Sequence, residues 1–409
     1  MLTARDLITV SDIETARARL QGLVKTTPCL LSRAFSQELG VRAWFKYETL
    51  QLTGSFKIRG AANKIRSLPE EEVRKGVITA SAGNHAQGVA YASTQAGVPS
   101  TIVMPRTTPL IKIENTRRLG GGVVLAGDVF DEACEVARQM EREQGLAFIH
   151  PFDDEEVIAG QGTIGLELLE QAPDMEVLVV PIGGGGLIAG VATAVKELKP
   201  SVRIYGVQTA AAPAMSESFR AGHLLTLEAT RSIADGIAVK RPGEHTFPHI
   251  RRYVDGIVTV SEDEIRTAIV RLLESGKILV EGAAAATYAA LAHRRIPDVT
   301  GRNVVMLLSG ANIDIAILAR LIDRTLVESR RLVRLSTHVP DTPGALAELL
   351  RLIGDEGGNV VRIQHDRVFM HSRFFEAKID ITLDTRNAEH IESIRRALKT
   401  FGYQVEISE

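Results

Sequence analysis

The chain has 409 residues, with 48 lysines and arginines against 50 aspartates and glutamates, and a formal net charge of -2. This length predicts two or three domains with room for a large buried core. A near-neutral charge without a basic stripe argues against nucleic acid as a partner. Cys29 and Cys134 are far apart and have no neighbours at metal-ligand spacing, so we expect a cytoplasmic protein without a metal site.

One uncharged run, residues 177–195, is long enough in principle to cross a membrane. Pro181 and the glycines at 183–186 would break a spanning helix in its first half. We therefore predict a strand, a glycine turn and a buried helix in this run, and no membrane partner. The N-terminus also lacks the basic and apolar regions of a signal peptide.

Strands and helices alternate through the first three quarters of the chain. An amphipathic helix is predicted around Ile13, Ala16 and Leu20. Short apolar runs predict strands, most of them followed by a segment with helical spacing; the runs lie at 43–47, 76–80, 101–104, 123–125, 177–180, 202–207, 256–260 and 304–308. This alternation is typical of parallel sheets covered by helices.

The last part of the chain has a different pattern, and the charged stretch 320–331 is interpreted as the boundary before it. A helix is predicted after Pro343 and another over 388–399. Strands are predicted at 333–339, 360–363, 375–383 and 403–407. The resulting order βαββαβ predicts a ferredoxin-like domain of about eighty residues, a size consistent with independent folding.

The segment 53–60 contains the first candidate for chemistry. Ser55 is predicted to cap a helix whose first turn contains Lys57. The positive end of the helix dipole disfavours an ammonium group there, which makes the amine easier to deprotonate. A lysine that forms a Schiff base needs this property, because the usual pKa of lysine is about 10.4. The alternative is a surface lysine without a function.

Four successive glycines at 183–186 stand between an apolar strand and an apolar helix. Their backbone N–H groups can converge on one anion, so we predict phosphate binding, with a loose turn as the alternative. A nicotinamide site would need a carboxylate about twenty residues later, and a P-loop would need Lys-Ser/Thr after the last glycine. Neither signal is present, since the next strand ends at Gln208. Pyridoxal phosphate, which needs a small phosphate site and an amine, fits this loop and Lys57.

Two further strand ends carry polar residues. The segment 81–88 opens a helix whose N–H groups could hold a carboxylate, and Asn84 could hydrogen-bond a phenolic oxygen. Ser309 offers a neutral hydroxyl, which would leave a pyridine nitrogen unprotonated and favour β-elimination over transamination; an ordinary turn residue is the alternative. His245 and His249 resemble a metal pair, but a proline between them and the lack of further ligands favour a loop.

These segments, in this order, resemble the fold-type II pyridoxal phosphate enzymes, and most closely the threonine dehydratase (threonine ammonia-lyase) family; the matching segments are 53–61, 81–88, 183–187 and 309–312. Residues 332–409 resemble one ACT domain. The resemblance implies an α/β fold with two open twisted sheets covered by helices, as in the tryptophan synthase β chain, followed by the ferredoxin-like domain. The implied ranges are 1–325 for the catalytic domain, with a small subdomain at about 45–150 and a large one at 1–44 and 151–325.

The resemblance also implies roles for single residues. Lys57 would carry the cofactor in a Schiff-base linkage, and Phe56 would pack against the cofactor ring. Asn84 would bind the ring oxygen, and Ser309 would face the pyridine nitrogen. The cofactor phosphate would be held by Gly183, Gly184, Gly185, Gly186 and Leu187. The substrate carboxylate would be held by Ser81, Ala82, Gly83, Asn84 and His85.

The implied activity is dehydration and deamination of L-threonine to 2-oxobutanoate and ammonia, with L-serine as a side substrate. The freed Lys57 amine would remove the Cα proton. The ACT domain implies feedback regulation in isoleucine biosynthesis, with isoleucine or valine as the effector, and a homodimer or homotetramer as the assembly. The effector would bind at a helix start, for which a well-capped helix is the alternative; its residues are Asp341, Thr342, Gly344, Ala345 and Leu346.

Three alternatives remain open at this point. Serine racemases carry a second serine where this sequence has Ala82, and they carry carboxylates for a cation where segment 208–214 has none. Both differences favour a dehydratase. A β-replacement synthase would require a second substrate. A non-catalytic amino-acid sensor would have no use for Lys57.

Overall fold

The structure is a computed structural model that describes residues 7–228, 230–367 and 375–408. The chain divides into two compact units between Ile313 and Asp314. The charged stretch at 320–331 lies largely in a helix of the second unit, Ile315–Glu328. The predicted domain limits at 325 and 332 stay predictions, and the outermost ones, Met1 and Glu409, lie outside the described residues.

The first unit alternates strands and helices, as predicted. Its helices are α1 (Val10–Leu20), α2 (Arg33–Leu39), α3 (Lys57–Ser67), α4 (Glu70–Lys75), α5 (Asn84–Ala96), α6 (Leu110–Arg118), α7 (Phe130–Gln144), α8 (Glu155–Gln171), α9 (Gly186–Leu198), α10 (Ala214–Ala221), α11 (Thr246–Tyr253), α12 (Glu262–Gly276) and α13 (Gly282–Ala292). Its strands are β1 (Cys29–Leu31), β2 (Arg42–Tyr47), β3 (Val77–Ala80), β4 (Ser100–Met104), β5 (Gly122–Leu125), β6 (Ala147–Phe148), β7 (Val177–Pro181), β8 (Arg203–Thr209), β9 (Gly256–Val260) and β10 (Asn303–Leu308). Short 3₁₀ turns occur at Glu48–Leu50 and Asp235–Ile237.

The larger sheet of this unit has the strand order β1-β2-β10-β7-β8-β9. Its neighbours pair in parallel except for β1, which is antiparallel to β2. The apolar strand β7 is buried at every position, as expected for a parallel sheet with helices on both faces. Helices α8 and α9 approach closely because both contain glycines at their contact: a Cβ atom on Gly190 would lie 2.1 Å from the Ile158 carbonyl oxygen.

The smaller sheet has the order β5-β4-β3-β6, with all neighbours parallel. Helix α3 packs against both α5 and α8. Small residues make this fit possible, since a Cβ atom on Gly60 would lie 2.8 Å from the Val157 carbonyl oxygen, and one on Gly88 would lie 3.1 Å from the Ile58 amide nitrogen. The start of α3 is therefore fixed on two sides by backbone contacts.

The second unit contains α14 (Ile315–Glu328), β11 (Leu332–Pro340), α15 (Ala345–Asp355), β12 (Asn359–Asp366), β13 (Glu376–Asp384), α16 (Ala388–Thr400) and β14 (Glu406–Ser408). Its sheet is antiparallel, in the order β12-β13-β11-β14. The order βαββαβ after α14 confirms the predicted ferredoxin-like fold. The strand predicted at 375–383 begins one residue later, as β13 at Glu376, and Phe375 before it is 86% exposed.

The possibility of a membrane span can be tested on the helices. In the parts of the chain that the structure describes, no helix has both the length and the apolar composition that a membrane crossing requires. The uncharged run at 177–195 forms β7, the glycine turn and most of α9, as predicted.

Candidate active site

Four loops meet at the carboxyl ends of parallel strands. They follow β2, β7 and β10 of the larger sheet and β3 of the smaller one. Ligands of open parallel sheets bind outside these strand ends. The loops after β2 and β10 are joined directly, since Ser55 and Gly310 form an isolated bridge and the Phe56 N–H donates to the Ser309 carbonyl at 3.1 Å.

Lys57 is the first residue of α3, and the residue before the helix is Phe56. The predicted cap at Ser55 is therefore wrong by one position. The bridge to Gly310 holds Ser55 in the extended loop, and its buried hydroxyl has no hydrogen-bond partner among the described residues. The prediction that Lys57 lies in the first helical turn is confirmed.

The Lys57 amine lies inside the crevice rather than in open solvent. Its Nζ atom donates to the Pro151 carbonyl oxygen at 2.7 Å and lies 5.3 Å from the centre of the Phe56 ring. Removal from water lowers the pKa of Lys57 to about 8, although the nearby Glu281 carboxylate opposes this shift. A substantial fraction of this amine is thus neutral near pH 8, as Schiff-base chemistry requires.

Two imidazoles lie near Lys57, and both are held neutral. The His85 Nε2 atom is 2.9 Å from the Ile149 carbonyl, which makes it the N–H donor, and burial lowers the pKa of His85 to about 3. The His150 Nδ1 atom accepts the Phe152 and Asp153 amides at 3.3 and 2.7 Å, and burial lowers the pKa of His150 to about 4. Neither ring therefore adds positive charge beside the amine at neutral pH.

The glycine loop between β7 and α9 presents unpaired backbone donors. The N–H groups of Gly183, Gly184 and Gly185 have no acceptor among the residues that the structure describes. Gly185 adopts φ +104°, and a Cβ atom on Gly184 would lie 2.4 Å from the Phe152 ring. The glycines are thus required by this close packing as well as by the left-handed turn. Together with the first amides of α9, which include that of Leu187, the loop can bind a phosphate.

The loop after β3 leads into α5, with Gly83 before the helix and Asn84 as its first residue. The Ser81 hydroxyl accepts the Gly83 amide at 3.3 Å, and Ala82 is partly exposed. The amides at the start of α5 can receive a carboxylate. His85, predicted with this loop, directs its Nε2 atom away to Ile149, while its buried Nδ1 atom has no partner in the described structure.

Asn84 contacts Glu281, which the sequence did not indicate, and Asn312, which lies in the matching segment 309–312 but was given no role. Its Nδ2 atom lies 2.8 Å from both carboxylate oxygens of Glu281, and its Oδ1 atom accepts the Asn312 Nδ2 group at 2.5 Å. Glu281 is buried at the start of α13, and loss of solvation raises its pKa to about 7. In the sequence, Glu281 precedes an alanine-rich segment, and this pattern indicates the start of a helix but no role in a site.

The segment His150–Asp153, also missed, links three parts of the site. Pro151 accepts from Lys57, and Phe152 packs against the glycine loop. The Asp153 carboxylate accepts the amides of Glu244, His245 and Thr246 at 2.9, 2.8 and 3.2 Å, which fixes the start of α11. A short segment after β6 thus joins the smaller sheet to the larger one.

Several buried polar atoms around these loops lack a partner in the described residues: Thr53 Oγ1, Ser55 Oγ, His85 Nδ1 and Ser309 Oγ. Buried polar groups are nearly always hydrogen-bonded, so such a group of unpaired atoms needs an explanation. A polar ligand supplies one. The unpaired amides, the lysine with a lowered pKa and the buried Ser309 hydroxyl are the donor set that pyridoxal phosphate requires.

Metal binding is not supported by the histidines near α11. His249 accepts the Ile8 amide at 3.0 Å through Nε2, and its Nδ1 atom faces the His245 carbonyl at 2.9 Å. Within 7–228, 230–367 and 375–408, no three metal-ligating side chains form a group that could hold an ion. The histidine pair is therefore a structural contact of the helix.

The predicted effector residues lie at the turn between β11 and α15. Asp341 pairs with Arg367 at 3.1 Å, and Gly344 adopts φ +93° before the helix. The amides of Asp341, Thr342 and Ala345 already donate to backbone carbonyls. The turn therefore offers fewer open donors than the sequence suggested, chiefly at Gly344 and Leu346, and the effector site stays a prediction.

Both units of the chain match known protein families. Residues 20–310 match the family described as pyridoxal-phosphate dependent enzyme, and residues 333–402 match the ACT domain. The chain therefore belongs to the pyridoxal-phosphate dependent enzyme family and carries an ACT domain. It is similar to an L-threonine ammonia-lyase of Thermotoga maritima, with 48% identity over 401 residues that cover 98% of this chain and 100% of that protein.

Solved structures give the same family. The processed form of threonine deaminase isoform 2 from Solanum lycopersicum has a TM-score of 0.73 and 40% identity, covering 78% of this chain and 94% of its own. A serine racemase from maize has a TM-score of 0.73 and 36% identity, covering 79% of this chain and 99% of its own. The predictions of a fold-type II fold with an ACT domain, of a lyase and of pyridoxal phosphate are confirmed.

Proposed function

We propose that this chain is a threonine ammonia-lyase that converts L-threonine to 2-oxobutanoate and ammonia. The observation that carries the proposal is the Lys57 amine, removed from water and with a lowered pKa, in the same crevice as a glycine loop with unpaired amides. The full-length similarity to an L-threonine ammonia-lyase supports the same reaction. Pyridoxal phosphate, when bound, supplies an electron sink for the pair released at Cα.

The residues divide the work of binding. Lys57 is proposed to hold the cofactor covalently, with Phe56 beside it. The phosphate belongs at Gly183, Gly184, Gly185, Gly186 and Leu187, and the pyridine nitrogen at the buried Ser309 hydroxyl. The substrate carboxylate belongs at the start of α5, at Ser81, Ala82, Gly83, Asn84 and His85.

Lys57 is also proposed to take the proton from Cα of the substrate. A base works best when its pKa is near the working pH, and a pKa of about 8 meets this condition. The two neutral imidazoles do not compete for this proton at neutral pH. The pair freed at Cα expels the β-hydroxyl, which takes up a proton and leaves as water, so that the proton lost from Cα to Lys57 is balanced. The later hydrolysis that yields the oxo acid and ammonia consumes one water. The overall reaction therefore needs no further reactant.

The first test is incubation of the cofactor-loaded protein with L-threonine alone, with 2-oxobutanoate and ammonia measured separately. Equal amounts of both products support the proposal, and absence of oxo acid contradicts it. L-serine should give pyruvate more slowly, because one methyl group in an apolar pocket changes the preference by about 10- to 200-fold.

A serine racemase is the second candidate, favoured by the similarity to the maize enzyme. Ala82 argues against it, because this chain lacks the second serine expected on the opposite face of the substrate. Chiral analysis of recovered serine separates the two activities. Formation of D-serine faster than pyruvate would exclude a dedicated ammonia-lyase.

Regulation is proposed to act through the ACT domain, with isoleucine or valine bound near Gly344 and Leu346. An effector lowers activity only if it binds one state of the enzyme more tightly than another. Threonine saturation curves with and without isoleucine test this. A curve that neither amino acid changes would remove both as effectors.

Three further proposals concern the whole protein. Its free cysteines, Cys29 and Cys134, support action in the cytoplasm. The ACT domain supports a homodimer or a homotetramer, which light scattering of the loaded protein can distinguish. The division into catalytic and ACT domains near residues 325–332 can be tested by limited proteolysis.

A further inference from the structure

A directional chain of hydrogen bonds runs from the Lys57 loop to Glu281. It begins at the Thr53 carbonyl oxygen, which accepts the Asn312 Nδ2 group at 2.9 Å. The same Nδ2 group donates to Asn84 Oδ1 at 2.5 Å. Asn84 then donates through Nδ2 to both oxygens of Glu281 at 2.8 Å. Each side-chain amide thus has two hydrogen-bond partners.

The Thr53 backbone carbonyl sets the direction of these hydrogen bonds, because a carbonyl oxygen can only accept. Asn312 must therefore present its NH₂ group to Thr53 and, with its second hydrogen, to Asn84. Asn84 must present its oxygen to Asn312, and its NH₂ group then points to Glu281. A carboxylate accepts only, so both ends of the chain require the same orientation of Asn84.

Backbone hydrogen bonds and close packing against Gly310 hold Glu281 in place. Its backbone N–H donates to the Gly310 carbonyl at 3.0 Å, and its carboxylate accepts the Asn312 backbone amide. A Cβ atom on Gly310 would lie 2.6 Å from the Glu281 carboxylate, so only glycine leaves the required space. Gly54 has the same role for Asn312, whose Oδ1 atom would lie 2.9 Å from an added Cβ.

We propose that Glu281 and Asn312 are positioning residues that hold the Asn84 carboxamide as a hydrogen-bond donor toward the cofactor ring. Asn84 has two hydrogens on Nδ2, and Glu281, equidistant through its two oxygens, engages one side of that group. The other hydrogen is left for the phenolic oxygen of the ring, whose anionic form a donor stabilises. The proposal rests on the proposed function, because it assumes that the crevice holds pyridoxal phosphate.

The charge on Glu281 makes this chain of hydrogen bonds sensitive to pH. The charged groups that act on it are Asp235, Lys112 and Lys57. Burial raises the pKa of Glu281 to about 7, so the carboxyl group changes charge near neutral pH. When it is protonated, one oxygen becomes a donor and no longer attracts the Asn84 NH₂ group. The hydrogen bond to Glu281 that orients Asn84 therefore weakens as the pH falls below 7.

The test uses two near-isosteric variants and one matched control, all as full-length protein. Glu281→Gln places an amide nitrogen opposite Asn84 Nδ2, and Asn312→Asp removes the donor to Thr53 and Asn84. The control is Glu38→Gln, which loses contacts with Arg271 and with Tyr288 on the same helix α13, outside the site. Three quantities are measured: the Kd of pyridoxal phosphate, the pH midpoint of its absorption band, and the Tm of the cofactor-free protein.

We expect Glu281→Gln and Asn312→Asp each to raise the cofactor Kd roughly tenfold, as the loss of one hydrogen bond to a charged group predicts. The double variant should fall short of the product of the two effects, because both act through Asn84. Glu281→Gln should also shift the pH midpoint of the absorption band, and Glu38→Gln should leave Kd and midpoint unchanged.

Three outcomes would overturn the proposal. Unchanged Kd and midpoint in both variants would show that Asn84 needs no positioning. Weaker binding matched by an equal fall in Tm of the cofactor-free protein, with an unmoved midpoint, would show a structural role only. An equal effect of Glu38→Gln would assign the loss to α13 as a whole. If the parent protein binds the cofactor but does not deaminate threonine, the proposed function fails while the positioning result still stands.

Discussion

Two groups of charged side chains are buried side by side in the first unit, and they are built in opposite ways. The first, which we call the ion cluster, consists of Lys46, Glu48, Arg59 and Glu167. Arg59 contacts Glu48 at 2.8 Å and Glu167 at 2.6 Å, and Lys46 contacts Glu167 at 2.5 Å. Two positive and two negative groups are thus fully paired.

For Arg59 and Glu48 of the ion cluster, pairing outweighs the cost of burial, whereas burial lowers the pKa of Lys46 despite the nearby Glu167. Burial alone would lower the pKa of Arg59, but the adjacent Glu48 and Glu167 raise it above its usual value. Burial likewise opposes ionisation of Glu48, yet Arg59 holds its pKa below the usual range. Arg59 and Glu48 therefore stay charged, and the ion pairs of the cluster fix β2, α3 and α8 relative to one another.

The second group, Lys57 with Glu281 and the two imidazoles, is left incomplete. Lys57 donates to a backbone carbonyl, Glu281 accepts from an amide, and no carboxylate lies within ion-pair distance of Lys57 in the described structure. Burial moves the pKa of Lys57 down and that of Glu281 up, so both move toward neutrality. The comparison teaches that the paired charges of Arg59, two residues further along α3, can fix the helix that carries Lys57 while burial still lowers the pKa of the Lys57 amine.

The largest effect is expected at the incomplete group. Lys57→Ala should lower the rate of 2-oxobutanoate formation by about 10³-fold or more, because it removes the proposed base and the cofactor attachment. The matched control is Lys64→Ala on the same helix, where Lys64 pairs with Asp154 at 2.7 Å. The control should keep its rate within a factor of a few. Equal losses in both variants would contradict a special role for Lys57.

The next largest effect tests the ion cluster. Arg59→Met should lower the free energy of unfolding by about 3–5 kcal/mol, because it leaves two buried carboxylates without their main partner. Urea unfolding of the cofactor-free protein measures this. Arg17→Met, which breaks an exposed pair with Glu170, should cost only about 0–1 kcal/mol. A small effect of Arg59→Met would show that the cluster relaxes or admits water.

The sequence predicted the parts of the site that are local. Lys57 stands at a helix start, and the four glycines lie between an apolar strand and an apolar helix, so short windows contain both signals. The cap at Ser55 failed because a bridge to Gly310, far along the chain, overrides the local preference. The alternation of strands and helices predicted the sheets, since it depends on hydrophobic period alone.

Other parts of the site could not be predicted from one sequence. Glu281 is 197 residues from Asn84 and is placed beside it only when the two sheets fold. Phe152 and Asp153 follow a two-residue strand, and nothing nearby indicates that they meet the glycine loop and α11. These contacts depend on tertiary packing, which leaves no periodic or capping signal in the chain.

A smaller effect is expected from the packing of the glycine loop. Gly184→Ala should weaken cofactor binding and lower the free energy of unfolding by about 1–3 kcal/mol, because the new Cβ atom would lie 2.4 Å from the Phe152 ring. Gly354→Ala is the control, since its Cβ would meet nothing within 4 Å in a helix. The control should be neutral or slightly stabilising. Unchanged cofactor affinity in Gly184→Ala would show that Phe152 can move without disturbing the loop.

The smallest effect is the pH dependence of stability in the cofactor-free protein. The carboxyl group of Glu281 has a usual pKa of 4.5, and burial raises it to about 7. Between these values the folded protein keeps a proton that the unfolded chain has lost, so this group makes the free energy of unfolding fall as the pH rises. Lys57 has the opposite slope between about 8 and 10.5, where the unfolded chain binds more protons.

Variants isolate these two slopes from those of other groups, including His85 and His150, whose pKa values burial lowers from 6.5 to about 3 and about 4. Unfolding free energies of the parent and Glu281→Gln should converge near pH 5 and separate by about 1–3 kcal/mol by pH 8, with the variant more stable. Lys57→Met should gain on the parent as the pH falls from 10.5 to 8. Parallel curves for parent and Glu281→Gln would mean that this carboxyl group titrates normally, and the contrast with the ion cluster would then rest on Lys57 alone.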